Sequence, residues 1–275
     1  MQRGSTPSGV RLKPSRPSRL AISAGSEAVT ERWSMSRAEI FMPAHIGLPP
    51  PRSSAMLRGL NHWRNGFMSK MTLYGIWLSG PTYKVGLALS LMGQPFAYKH
   101  VDLRAGAHKQ PDYLAINRFG QVPALVDGDL KLCQSGSILL YLADKFGKMG
   151  GKTPEEKARV REWLFWEFDR LASNIYRPRA IKRGFMKADD NVHQMYVNQA
   201  TDALKVLETA LAKSDFLVGS EVTIADVAVY GDVAYAEEGA IDLTPYPSVK
   251  AWMARVEELP GFKKYEDVLP KQDAA

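Results

Sequence analysis

Cysteine is almost missing from this 275-residue chain, in which Cys133 stands alone. A single thiol excludes an intramolecular disulfide framework, a CxxC redox pair and a cysteine-built zinc site, and it suits a reduced compartment. Long apolar runs are lacking as well. The longest, Ile138 to Ala143, falls far short of the roughly 20 residues that cross a bilayer, and the start of the chain has no hydrophobic stretch of the secretory kind. Acids are scarce only at that start. Residues 1–70 hold 11 Lys and Arg against Glu27, Glu31 and Glu39, which leaves 25 basic and 26 acidic residues for the remainder. The pI near 9.3 therefore belongs to the first quarter. The rest is close to neutral, and bulk basicity gives it no nucleic-acid footprint.

What is present reads as a soluble globular protein, with 45% hydrophobic and 24% charged residues and length enough for one large domain or two ordinary ones. Residues 1–69 carry seven Pro and eleven Ser with no sustained period, so they are expected to form a disordered basic extension. Three origins compete for it: an organellar targeting segment, a basic arm for acidic partners, or a start codon placed too far upstream. The last is favoured, because Met68 and Met71 immediately precede the first strand-like run.

From residue 70 the pattern becomes regular. Thr72 to Ile76 reads as a strand, and Ser79-Gly80-Pro81 opens a helix with Val85, Ala88, Leu89 and Met92 on one face. A strand is expected within Pro95–Val101 and a short helix over Asp112–Ile116. Val122–Val126 and Leu130–Cys133 flank Asp127-Gly128-Asp129, a hairpin signal, and Ser137–Phe146 reads as a helix. The order βαβαββα implies a small mixed sheet with helices on its faces, over 70–148.

Beyond Gly150-Gly151 the chain reads as helical, over 154–270. Val160, Trp163, Leu164, Phe168, Leu171 and Ile175 suit one face of a long helix, and Val192, Met195, Ala203, Val206, Leu207 and Ala210 that of another. Thr223-Ile224-Ala225-Asp226 has capping-box spacing and a structural role, and Val249, Trp252, Met253 and Val256 mark a late helix. The fold class is thus α+β, a βαβαββα domain followed by an all-α domain.

Three segments in this order resemble the glutathione S-transferase superfamily: Ser79-Gly80-Pro81-Thr82-Tyr83-Lys84-Val85, Asn117 to Leu125 through Gly120-Gln121-Val122-Pro123, and Gln134-Ser135-Gly136-Ser137-Ile138. The resemblance covers nearly all of 71–270 and is closest in kind to soluble, two-domain, seryl-type bacterial members. It implies a thioredoxin-like first domain, a homodimer and a cytoplasmic detoxifying enzyme. That enzyme would conjugate glutathione to a small apolar electrophile, with glutathione as co-substrate, no other cofactor, no metal, no nucleic acid and no membrane. Glutathione-dependent peroxide reduction on the same site, or a non-catalytic scaffold, are the alternatives.

By resemblance, Ser79 occupies the place of the catalytic serine and Thr82 that of the reactive cysteine of cysteine-type members. Ser before Gly-Pro is also an ordinary helix N-cap. The resemblance makes the Val122–Pro123 bond cis and gives the Val122 backbone to the cysteinyl part of glutathione. Ser135 and Gln134 would hold the γ-glutamyl end, although many relatives carry an acid where this chain has Gln134. A serine at a strand-to-helix junction is otherwise a cap, and a helix start is an anion site on general grounds. His108, Lys109 or Gln121 would face the glycyl carboxylate. Trp77 and Leu78 are expected on one wall of the electrophile pocket, with Trp166, Tyr176 and Arg177 on the other. Tyr74 is assigned to the core.

Overall fold

Leu73 and Gly75 are buried while Thr72 and Tyr74 are half-buried, the period-2 signature of a strand with one face on a core. This strand, β1 (Thr72–Gly75), lies at the centre of the sheet in a computed structural model that describes residues 71–274. The expectations for residues 1–69 lie outside the described residues. β1 pairs in parallel with β2 (Ala97–His100) and antiparallel with β3 (Ala124–Asp127), which pairs antiparallel with β4 (Leu130–Cys133). The spatial order is β2-β1-β3-β4. Near the end of the described chain, Tyr98 and Ala274 exchange backbone hydrogen bonds at 2.6 and 3.0 Å, so the outer edge of β2 is covered.

α1 (Gly80–Leu91) crosses between β1 and β2 and is buried without interruption from Thr82 to Leu89. It is enclosed because it packs against the sheet, against α3 (Ser135–Phe146) and against α7 (Ile224–Val233) of the helical half. A short helix, α2 (Pro111–Leu114), leads to the loop before β3. Val122–Pro123 is cis, as the resemblance implies.

The helical half starts at α4 (Pro154–Trp166), capped reciprocally by Thr153 and Glu156. Its continuation departs from the expected unbroken helix. Residues Glu167–Ala172 form a π-helical turn before α5 (Ser173–Lys182). The inward position there is taken by Glu167, 4% exposed, whereas Phe168 is 70% exposed and leaves the buried stripe to which its spacing assigned it. α6 (Asp190–Leu211) buries Ala203 and Leu207 but leaves Met195 and Val206 exposed, so its apolar stripe is narrower than expected. The Thr223–Asp226 capping box opens α7, and α8 (Pro247–Glu257) and α9 (Tyr265–Val268) complete the fold. Among the described residues no helix is long and apolar enough to cross a membrane.

Candidate active site

β4 ends and α3 begins at Gln134, whose backbone has φ 69° and ψ 115°. A non-glycine residue in that region is costly, by about 1–3 kcal/mol, and is held there only by its surroundings. No side chain caps α3, so its first N–H groups face outward as an anion-attracting start. Gln134 is the cap residue and Ser135 the first helical residue, one position later than the expectation of a Ser135 cap. The Gln134 amide donates weakly to Gln121 Oε1 at 3.5 Å.

The loop before β3 is shaped from beneath by Asn117, 1% exposed. Its amide donates to the Gln121 carbonyl at 2.6 Å and the Pro123 carbonyl at 3.3 Å, while Tyr113 donates to the Gln121 carbonyl at 2.7 Å. Across from it, the turn Ala107–Lys109 brings up His108 and Lys109. Lys109 Nζ donates to the Gly120 carbonyl at 3.0 Å and stays exposed, and His108 Nδ1 is buried without a partner.

These residues line a cleft of about 600 Å³. His108, Lys109, Gln121, Val122, Pro123, Gln134 and Ser135 form its sheet side, and Tyr176 and Arg177 of α5 lie opposite. Phe168, Ala172 and Ala180 add an apolar surface that the sequence reading missed. A larger cavity of about 870 Å³, along the linker at 147–152, contains none of the candidate residues.

Three residues expected in the pocket lie outside this cleft. Trp166 lines a separate cavity with Asn174 and Tyr196, because its side of α4 points away from the cleft. Trp77 and Leu78 do not line the cleft: Lys271 covers the Trp77 ring at 4.9 Å, and the Leu78 carbonyl is bound from the helical half. Tyr74 is half-buried and meets Tyr113 edge-on at 6.3 Å.

The two candidate activators separate. Ser79 is half-buried at the start of α1 and is not itself among the residues that line the cleft, whereas Pro81, two residues later, lines it. Ser79 Oγ accepts the Thr82 N–H at 3.2 Å, the expected N-cap, while its own proton meets no acceptor among the described residues. Thr82 is fully buried and does not line the cleft. A Cβ placed on Gly75 would lie 2.1 Å from Thr82 Cγ2, so the Thr82 side chain packs on the end of β1.

Behind Pro81 the cleft floor is ionic. Lys84 Nζ lies 2.5 Å from Glu167 Oε1 and 2.7 Å from Asp232 Oδ1, all three side chains almost wholly buried. Burial, and then the neighbouring Glu167, push the Asp232 carboxyl well above the usual carboxylate range, against the pull of Lys84. Apolar periodicity cannot foresee this cluster. Its one trace is a lysine inside the apolar run Tyr83-Lys84-Val85 and an aspartate inside Gly231-Asp232-Val233. Cys133, half-buried at the end of β4, has its thiol pushed up by burial, the reverse of activation.

Residues 69–144 match the family described as Glutathione S-transferase, N-terminal domain, and residues 179–267 that described as Glutathione S-transferase, C-terminal domain. Glutathione S-transferase 3 of Zea mays is 33% identical over 220 residues, spanning 74% of this chain and 96% of that protein. The crystal structure of a glutathione S-transferase from Pseudomonas fluorescens [Pf-5] superposes with a TM-score of 0.68 at 32% identity, covering 72% of this chain and 99% of that one. The disulfide-bond oxidoreductase YfcG of Escherichia coli (strain K12) is 30% identical over 65% of this chain and 86% of its own. With both family domains in order on the fold that carries the cleft, the chain belongs to the glutathione S-transferase family.

Proposed function

We propose that the chain is a seryl-type glutathione transferase that joins glutathione thiolate to a small apolar electrophile. The observation that carries this reading is Ser79, which caps α1 through its oxygen and keeps its hydroxyl proton to donate. The γ-glutamyl end would lie at Gln134, Ser135 and the open start of α3, the cysteinyl backbone along Val122, and the glycyl carboxylate near His108 and Lys109.

A free thiol has a pKa near 8.5 and is only a few per cent thiolate at neutral pH. Lowering that pKa by about two units takes about 2.7 kcal/mol of preference for the anion, which a hydroxyl donor and the first N–H groups of α1 can share. The thiol proton leaves to solvent. The sulfur lone pair then forms the new carbon–sulfur bond, and the electrophile's leaving group departs with its bonding pair. Phe168, Ala172 and Ala180 are the proposed apolar bed for the electrophile, in place of Trp77, Leu78 and Trp166.

A second reading is an oxidoreductase one, the reaction class of the disulfide-bond oxidoreductase relative. The thiolate would attack a hydroperoxide oxygen, the O–O bond would break with release of the alcohol and leave a glutathione sulfenic acid, and a second glutathione would then form the disulfide with release of water. Cys133, raised rather than activated, takes no part. A homodimer is proposed on the family likeness and on the outward Phe119 and Phe165, 45% and 73% exposed; light scattering checks it. A reducing compartment suits the thiol chemistry, and the cytoplasm is the proposed location.

Retention on immobilised glutathione, followed by turnover with a chlorinated nitrobenzene and with a hydroperoxide, separates the two reactions from a scaffold that performs neither. Ser79→Ala should lower kcat by about 10-fold, the loss expected if the hydroxyl supplies about half of that 2.7 kcal/mol and α1 the rest, with glutathione affinity nearly unchanged. Unaltered turnover in this variant would remove Ser79 as the activator.

A further inference from the structure

The helical half reaches behind the Ser79 turn with a guanidinium. Arg179 of α5 is 7% exposed, and its Nη1 donates to the Leu78 carbonyl at 2.7 Å, one residue before Ser79. Its Nε donates to Glu238 Oε2 at 3.0 Å, and Arg183 Nε donates to the same oxygen at 2.7 Å. One carboxylate is therefore shared by two arginines, of which Arg183 is exposed and screened by solvent, so Glu238 offsets the buried Arg179 only in part. The Arg179 guanidinium stands 4.0 Å over the Tyr235 ring, and its Nη2 is buried without an acceptor.

The other groups around the turn do not cancel that charge. Lys84 from α1 is matched by Glu167 of the π-turn and Asp232 of α7. Tyr235 and Tyr265 stay neutral, burial raising the first and Glu266 and burial the second. Tyr176 donates its proton to the Gly231 carbonyl at 2.9 Å, and a Cβ on Gly80 would lie 2.1 Å from its oxygen, so α5 is seated directly on the first turn of α1. Lys271, over Trp77, is exposed and screened by solvent.

We propose that Arg179 is a positioning residue for the Ser79 turn, which pins the Leu78 carbonyl and places a positive charge, only partly offset by Glu238, behind the glutathione sulfur. This rests on the transferase reading above. Arg179 does not line the cleft, so it acts through the turn and through its field. A carbonyl tied to a guanidinium no longer turns its negative end toward a developing thiolate, and a charge held in a water-poor seam acts more strongly than one in solvent.

The test is the pKa of enzyme-bound glutathione, followed by the ultraviolet absorbance of its thiolate against pH, with affinity from calorimetry. Arg179→Gln should raise that pKa by about one unit, a tenfold loss of thiolate below it, with affinity changed by less than about threefold. Arg179→Lys, which keeps the charge, should recover most of the loss. Glu238→Gln should act in the opposite direction and lower the pKa, a result that mere loosening of the seam does not give. An unchanged pKa in Arg179→Gln, or a rise in Glu238→Gln, overturns the proposal while leaving the transferase reading in place. If Arg179→Gln does not fold, Glu238→Gln decides alone by the sign of its shift. Wild-type protein that fails to bind glutathione overturns both readings.

Discussion

Replacing Asp232 by Asn tests how charge is balanced in the seam between the sheet and the helices. Lys84 faces two carboxylates, and the three side chains have 2%, 5% and 0% of their surface exposed. Two ionised carboxylates on one ammonium would strand a negative charge away from water, and the Asp232 carboxyl is accordingly driven well above its ordinary range. The folded chain then keeps a proton that the unfolded chain has released above about pH 4. Because the native state binds more protons, stability falls as pH rises, by about 1.4 kcal/mol per unit. The fall ends where pH passes the raised pKa of the folded carboxyl. Burial would lower the Lys84 ammonium, but the neighbouring carboxylates raise it, and Glu167 at 2.5 Å remains its ionised partner when Asp232 holds the proton. Asn has the shape and neutrality of the protonated acid and leaves Lys84 and Glu167 as a balanced pair. The stability of Asp232→Asn relative to wild type, from urea unfolding at pH 5, 6 and 7, should therefore improve as pH rises, by at most about 1.4 kcal/mol per unit. A difference independent of pH would refute the retained proton, and one that worsened with pH would mean that Asp232 is ionised in the fold.

Two further substitutions probe packing and capping. Asp226 is fully buried and accepts from Leu217 N, Thr223 N, Thr223 Oγ1 and Trp252 Nε1 at 2.8 to 3.0 Å. Asp226→Ala should cost about 3–5 kcal/mol in urea unfolding, since it orphans several donors at once; a loss below about 1 kcal/mol would contradict the network. Gly75→Ala would set a methyl 2.1 Å from Thr82 Cγ2 and should cost about 1–3 kcal/mol. Adding Thr82→Ser removes that methyl partner, and a thermal scan should show partial recovery; none would mean that the clash lies elsewhere.

Much of this fold was open to local reasoning because local forces decide it. β4 occupies Leu130–Cys133 as expected, since the hairpin turn before it fixes where it starts and its pairing with β3. Thr223 and Asp226 cap α7 reciprocally, a rule that needs only their spacing. The errors cluster where distant residues meet. Spacing placed Phe168 in the core and Trp166 toward the cleft, whereas Phe168 lines the cleft and Trp166 another cavity. The inward place between them belongs to Glu167, drawn in by Lys84 from 83 residues earlier in the chain, and hydrophobic periodicity has no term for a buried glutamate. Thr82 was a candidate through its neighbours in sequence alone. Its burial follows from the approach of Gly75, which no motif records.

Ser79 shows how two readings of one residue can both hold. In sequence, the N-cap and the thiol activator are rivals, since each accounts for a serine before Gly-Pro. In the structure they use different parts of the hydroxyl: the oxygen accepts the Thr82 N–H at 3.2 Å and the proton remains to donate. Accepting an N–H also polarises the hydroxyl and makes it a somewhat better donor, by about 10–30% in a hydrogen-bonded chain. The two roles differ in what their loss does. Removing a cap costs about 1 kcal/mol of stability, paid by folded protein at every step alike. Removing the thiolate's donor leaves the fold in place and appears in kcat. A Ser79→Ala enzyme that unfolds earlier but turns over normally would therefore keep the cap and dismiss the activator, whereas a folded enzyme that binds glutathione and turns over about 10-fold more slowly requires the donor.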